Sequence, residues 1–216
     1  MPDNAGRRHW TMSAAAAWLV AAAGYLVLEA VAAYGAWPHY SYTRDFISDL
    51  GIPSASPLAG SMNTAFCLQG TLFLLGAILL VTAAGRRAGC FVALAAANAV
   101  GNIAVAVVHS GPAAHANGTI WVHEAGAVLA IVGGNAAILA GSAVIKRHGP
   151  RWYHTVSVTF GVLGLLSFVF LVLDMTIKAI RVLPPAVWER ASVYTIIAWQ
   201  LSSAAYLLTR DAQSRR

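Results

Sequence analysis

The residues of this chain best suited to chemistry are carboxylates set among aromatic rings. In Tyr40-Ser41-Tyr42-Thr43-Arg44-Asp45-Phe46-Ile47-Ser48-Asp49-Leu50-Gly51, the acids Asp45 and Asp49 stand four residues apart, which places two side chains on one face of a helical turn. Phe46, Ile47 and Leu50 would hold that turn against an apolar surface, and Gly51 would end it. A second group runs from His109-Ser110-Gly111-Pro112 through His115 to Trp121-Val122-His123-Glu124. Glu29 and Asp174 sit inside apolar stretches, and Trp188-Glu189-Arg190 is followed by Tyr194 and Trp199. A carboxylic acid kept from water holds its proton and can deliver it to a substrate, while ring faces stabilise a cation formed nearby.

The histidines admit a different chemistry. His109, His115 and His123, with Asp49 or Glu124 as an oxygen ligand, are donors of the kind that zinc takes. The spacing matches no metal motif, and there is no His-Glu-x-x-His pair or cysteine cluster, so the expectation is no metal and no cofactor. His109 and His123 are instead expected to hydrogen-bond to the acids and shift their titration.

Each group also has a plainer reading. Asp45 and Asp49 fit an interfacial helix whose acids are solvated or paired with Arg44, and Glu189 with Arg190 fits a surface pair worth little. Trp and Tyr collect at membrane interfaces whether or not a site is present. Gln69, Asn98, Asn102 and Asn135 fit helix-to-helix ties, whereas the ionisable Glu29 and Asp174 point to a functional cavity.

The elements that must position these residues are membrane helices. With 58% hydrophobic residues, 10% charged and a mean hydropathy of +0.65, the 216-residue chain is too apolar for an ordinary soluble domain. Six apolar stretches, about 13–33, 58–84, 88–108, 123–145, 153–175 and 191–209, are each long enough to cross a bilayer as a helix. The fold expected is therefore an all-α six-helix bundle in a single membrane domain. The first stretch has a basic flank like a signal peptide, but it is too long for one and carries Glu29 near its far end, so it is expected to be retained.

Charge sorts with side. Of 14 Lys and Arg, the ten at Arg7, Arg8, Arg86, Arg87, Lys146, Arg147, Arg151, Arg210, Arg215 and Arg216 fall at one end of the stretches, which predicts cytoplasmic termini. Arg44, Lys178, Arg181 and Arg190 fall at the other end, with six of the eight acids: Glu29, Asp45, Asp49, Glu124, Asp174 and Glu189. The net charge of +6 is thus topological, with anionic lipid headgroups as partners and no nucleic acid. Cys67 and Cys90 would lie about 20 Å apart along the membrane normal, too far for a disulfide.

The stretch 40–51, the His-Ser-Gly turn at 109–111, Trp121-x-His123 with Gly126 and Gly133-Gly134-Asn135 behind it, and Trp188-Glu189-Arg190-x-Ser192-Val193-Tyr194 together resemble a bacterial family of six-helix membrane proteins known as domain of unknown function 998. The resemblance covers most of the chain and implies that Asp49, His109, His123, Asn135 and Glu189 matter. Glu124 departs from that pattern.

Three function classes follow. The first is a metal-independent isomerase of isoprenoid biosynthesis, similar in chemistry and size to small integral membrane terpene cyclases, acting on an apolar substrate in the bacterial cell membrane. Asp49, Glu124 and Glu29 then compete for the acid role, with Asp45, Asp174 and Glu189 behind them. His109 or His123 would set protonation, and Tyr25, Tyr34, Trp37, Trp121, Asn135, Tyr194 and Trp199 would line the cavity. The second class is a zinc hydrolase of lipid esters or amides, similar to the alkaline ceramidase superfamily, using Ser48, Asp49, His109, His115 and His123; that superfamily's seven spans and late His-x-x-x-His pair are missing here. The third is a non-catalytic lipid-binding or accessory subunit.

Overall fold

The computed structural model describes residues 4–85, 88–146, 150–177 and 183–213. Among these the chain is all-helical: α1 (Asn4–Gly35), a 3-10 turn (Ile47–Gly51), α2 (Ala59–Ala84), α3 (Gly89–Val107), the short α4 (Pro112–Ala116), α5 (Ile120–Lys146), α6 (Arg151–Thr176) and α7 (Pro185–Gln213). Six of them are long and apolar enough to cross a membrane. Two begin or end as local chemistry dictates. Pro185 opens α7, a position where the missing N–H costs nothing. Gly85 closes α2 at φ 60°, a left-handed cap that favours glycine.

Each long helix packs on the next, and α7 returns to α1, so the six form a closed ring. At the chain ends Arg8 donates to both carboxylate oxygens of Asp211, the Nη2 bond being 3.0 Å. The two ends of the described chain therefore lie at the same end of the bundle.

Two apolar clusters fill the ring. Towards the termini, Trp18, Phe73, Phe91, Tyr153 and Trp199 interlock, with the Trp18 and Trp199 rings 4.9 Å apart. At the opposite end Tyr25, Ile47, Leu50, Met62 and Phe66 form the second cluster, which anchors the 3-10 turn to the bundle. Polar ties run between helices: Asn98 donates to Ala130 O at 2.6 Å, and Gln69 to Gln200 at 3.4 Å. Gly101 lets α3 meet α5 backbone to backbone, since a Cβ there would strike Ala130 N and Gly126 O.

Two expectations are corrected. α7 starts six residues before the apolar stretch at 191, because its first turns are amphipathic rather than apolar, so Trp188, Glu189 and Arg190 are helical and not part of a loop. Asp45 precedes the turn that holds Asp49, and each acid caps its own piece of backbone: Asp45 accepts from Ser41 N at 2.7 Å and Asp49 from Phe46 N at 2.9 Å. Competition from these local side-chain bonds prevents one continuous helical turn. Both cysteines are free. Arg86, Arg87, Arg147, Lys178, Arg181, Arg215 and Arg216, named above for topology, lie outside the described residues, as does the side chain of Lys146.

Candidate functional site

The loop after α1 is fastened to the first turns of α7. Glu189 accepts the N–H of Ile47 at 2.6 Å, and Arg190 donates to Asp45 O at 2.7 Å, to Ala186 O at 3.2 Å and to the Tyr40 hydroxyl. The Arg190 guanidinium also lies over two rings, 5.5 Å from the centre of Tyr40 and 5.1 Å from that of Tyr42. Neither pairing of the plainer reading, Glu189 with Arg190 or Arg44 with Asp45, occurs among the described residues. The geometric reason is that the loop's backbone, folded back on α7, offers closer partners to each.

Asp49 is half-buried in this cap, and burial pushes its carboxyl above the ordinary carboxylate range. The Phe46 N–H, His123 and Arg190 pull it back down, while Asp45 adds to the rise. Burial likewise raises the Tyr40 and Tyr42 phenols, so neither hydroxyl ionises near neutral pH.

Glu29 differs from the other acids. It is 1% exposed on α1; Tyr194 of α7 donates to its Oε1 at 2.8 Å, and its Oε2 has no hydrogen-bond partner. Tyr25, one helical turn earlier and 1% exposed, has an unpartnered hydroxyl, and Arg190, 7% exposed, has an unpartnered Nε. Tyr25 and Glu29 stand one turn apart on α1, Arg190 and Tyr194 one turn apart on α7, and the Tyr194–Glu29 bond joins the two pairs into one polar group across the α1–α7 seam. At about 1.5 Å per residue, Glu29 lies roughly 9 Å inside the end of α1.

Tyr40 and Tyr42, the rings beneath Arg190, also line a cleft of about 660 Å³ with Ala30, Ala33, Tyr34 and Arg44 among others, and Tyr25, Glu29 and Tyr194 are not among its lining residues. Trp37 also lines it, and Tyr34 and Trp37 are 84% and 74% exposed. Tyr40 and Tyr42 face both ways, lining the cleft and stacking on Arg190.

The remaining sequence candidates lie elsewhere. His109 accepts from Asn63 Nδ2 at 3.0 Å, and the same amide donates to Gly51 O at 3.0 Å. His123 donates from Nδ1 to Val108 O at 2.7 Å. Neither histidine bonds an acid, contrary to expectation, because the neighbouring backbone and Asn63 reach them first. Asn63 stands between Met62 and Thr64 in the first turns of α2, where Ser61 and Thr64 make an amide ordinary by type. His109 instead borders a second cleft of about 430 Å³ with Ser110 and Asn117. Glu124, His115 and Trp121 are exposed. Asp174 accepts the indole N–H of Trp188 at 3.0 Å on the α6–α7 seam, under the stacked pair Phe170–Trp188. Asn135 uses both amide hydrogens on Ile131 O and Ser192 O and accepts from Thr195, and Trp199 is packed into the cluster towards the chain ends and donates to Ser157. Those two residues therefore tie helices rather than line the cleft. Among the described residues no three His, Cys, Asp or Glu side chains are grouped as metal ligands.

A closed ring of bilayer-length helices with a buried polar group near one end defines a multi-pass membrane protein. The chain belongs to the family described as protein of unknown function (DUF998), whose model matches residues 5–206. No curated protein and no solved structure matches it.

Proposed function

We propose that this chain is an enzyme of the bacterial cell membrane, with cytoplasmic termini, that protonates an apolar isoprenoid-bearing substrate and so starts its cyclisation. The observation that carries the reading is the buried, unpartnered Oε2 of Glu29. Asp45, Asp49 and Glu189 each commit an oxygen to fixing the outer loop, and Asp174 holds an indole, whereas Glu29, bonded only to Tyr194, is the acid whose second oxygen is both fully buried and unpartnered among the described residues. Tyr194 holds Oε1 by donation, which leaves Oε2 as the oxygen to carry the proton.

In this reaction the Oε2 proton adds to one carbon of a double bond, whose π pair becomes the new C–H bond. The cation left on the other carbon is captured by a second double bond of the same chain, which closes the ring. Loss of a proton to a base ends the sequence, so the product is an isomer of the substrate and no oxidant or reductant is needed. Arg190 occupies faces of Tyr40 and Tyr42, so Tyr34 and Trp37 are the rings left to face the cation.

The test is incubation of the purified protein in lipid nanodiscs with linear isoprenoids, with products separated by mass spectrometry. Formation of a cyclic isomer by the native chain and its loss in Glu29→Gln is the expected result. A Glu29→Gln protein that turns over normally would overturn the reading. The second reading, a lipid-binding subunit without catalysis, is favoured by the number of acids used only to build the loop; it expects binding without any isomer. The hydrolase reading lacks a grouped donor set around Ser48 or the histidines among the described residues.

A further inference from the structure

We infer that the group recognised at the Glu29 site is an uncharged oxygen function, such as a hydroxyl, carbonyl or epoxide, carried on an apolar chain, and not a phosphate or diphosphate. This deepens the acid reading of Glu29 by naming the polar end of the substrate.

Three buried polar atoms of one cluster are without partners: Tyr25 Oη and Glu29 Oε2 on α1, and Arg190 Nε on α7. Buried polar atoms are ordinarily hydrogen-bonded, so three unmatched ones in a single cluster mark a place built to receive a polar group. What they offer is one fixed donor from the guanidinium, one hydroxyl that donates or accepts, and one carboxyl oxygen. A single oxygen bearing two lone pairs answers to Nε–H and to the phenol or the acid proton; a hydroxyl can in addition donate.

Charge argues against an anion. With Glu29 holding its proton, Glu189 and Asp49 are the acids near Arg190, and Glu189 is the next residue on α7. The Arg190 Nη atoms already donate to Asp45 O, Ala186 O and Tyr40, which leaves Nε–H and one Nη2 hydrogen of the five donors for a ligand. A phosphate monoester would bring about two negative charges into a region already rich in acids, and like charges at close range repel strongly where water is excluded. Arg44 lines the adjoining cleft but is exposed, so an anion held there would sit at the mouth and away from Glu29.

The experiment titrates the full chain in detergent with geranylgeraniol, with geranylgeranyl diphosphate and with the parent hydrocarbon lacking oxygen, following tryptophan fluorescence. The alcohol is expected to bind roughly tenfold more tightly than either, the order of change one or two hydrogen bonds to a buried site confer. Tyr25→Phe, which keeps the ring, should lower alcohol affinity by several-fold and leave hydrocarbon binding and the thermal midpoint unchanged. Diphosphate binding tighter than the alcohol, and lost in Arg44→Gln, would overturn the inference in favour of an anion site at the cleft mouth. Equal binding of alcohol and hydrocarbon would overturn it too. Glu29→Gln separates the two claims: normal turnover by that variant defeats the acid reading, whereas the choice of polar group is decided by these affinities alone.

Discussion

The Glu189 carboxylate accepts the backbone N–H of Ile47 at 2.6 Å, joining residues 142 positions apart. It is the direct bond from α7 to the 3-10 turn, so its removal should loosen the loop before it unfolds the bundle. Glu189→Ala is expected to cost about 1–3 kcal/mol, the penalty for leaving a buried N–H unmatched, and Glu189→Gln, which still offers an acceptor, much less. Trypsin cleavage after the exposed Arg44 measures the loop directly and should accelerate in Glu189→Ala. Unchanged cleavage would show that Arg190 alone holds the loop.

Tyr194 and Glu29 form the second testable pair. Tyr194→Phe removes the donor to Oε1 without altering the ring, so it should lower the cyclisation rate and cost about 1–3 kcal/mol of stability by leaving a buried acceptor unmatched. Glu29→Gln should lower the rate by about 10²-fold or more, the usual weight of a positioned general acid. Equal rates in native and Tyr194→Phe proteins would place the working acid elsewhere.

Asp49 predicts a pH dependence of stability. Its folded carboxyl titrates above the ordinary range, chiefly through burial, so the folded chain binds its proton more tightly than the unfolded chain. Stability is therefore greatest below the unfolded value of about 4 and falls as pH rises through the raised folded value, then levels off. Asp49→Asn keeps an acceptor for the Phe46 N–H and should flatten this decline. Thermal midpoints of both proteins between acid and neutral pH decide it; parallel curves would mean another group is responsible.

Gly101 marks a backbone crossing that no side chain can relieve. Gly101→Ala would press a methyl group onto Ala130 N and Gly126 O, with Ala130 Cα at 2.9 Å, and is expected to cost about 1–3 kcal/mol, the usual penalty of overpacking. Gly60→Ala, which meets nothing within 4 Å, serves as the neutral control in the same unfolding assay.

The span positions were legible because twenty-residue apolar runs have few alternatives in a chain of this composition. The start of α7 was not, since Trp188, Glu189 and Arg190 look like loop residues until the buried partners that satisfy them are known. The candidate acids could be named but not sorted. Their types say nothing of which carboxylate folds onto its own backbone, as Asp45 and Asp49 do, and which buries an oxygen without a partner, as Glu29 does. Such sorting depends on contacts across more than a hundred residues, as between Glu29 and Tyr194, and local spacing cannot encode those.

Arg8 and Asp211 hold the beginning and end of the described chain side by side, and α1 lies against α7. Covalent order is thus decoupled from spatial order. A circularly permuted protein, with 213 joined to 4 by a short polar linker and new ends opened beside the exposed Gly85, would preserve every neighbour in the ring while changing which helix leaves the ribosome first.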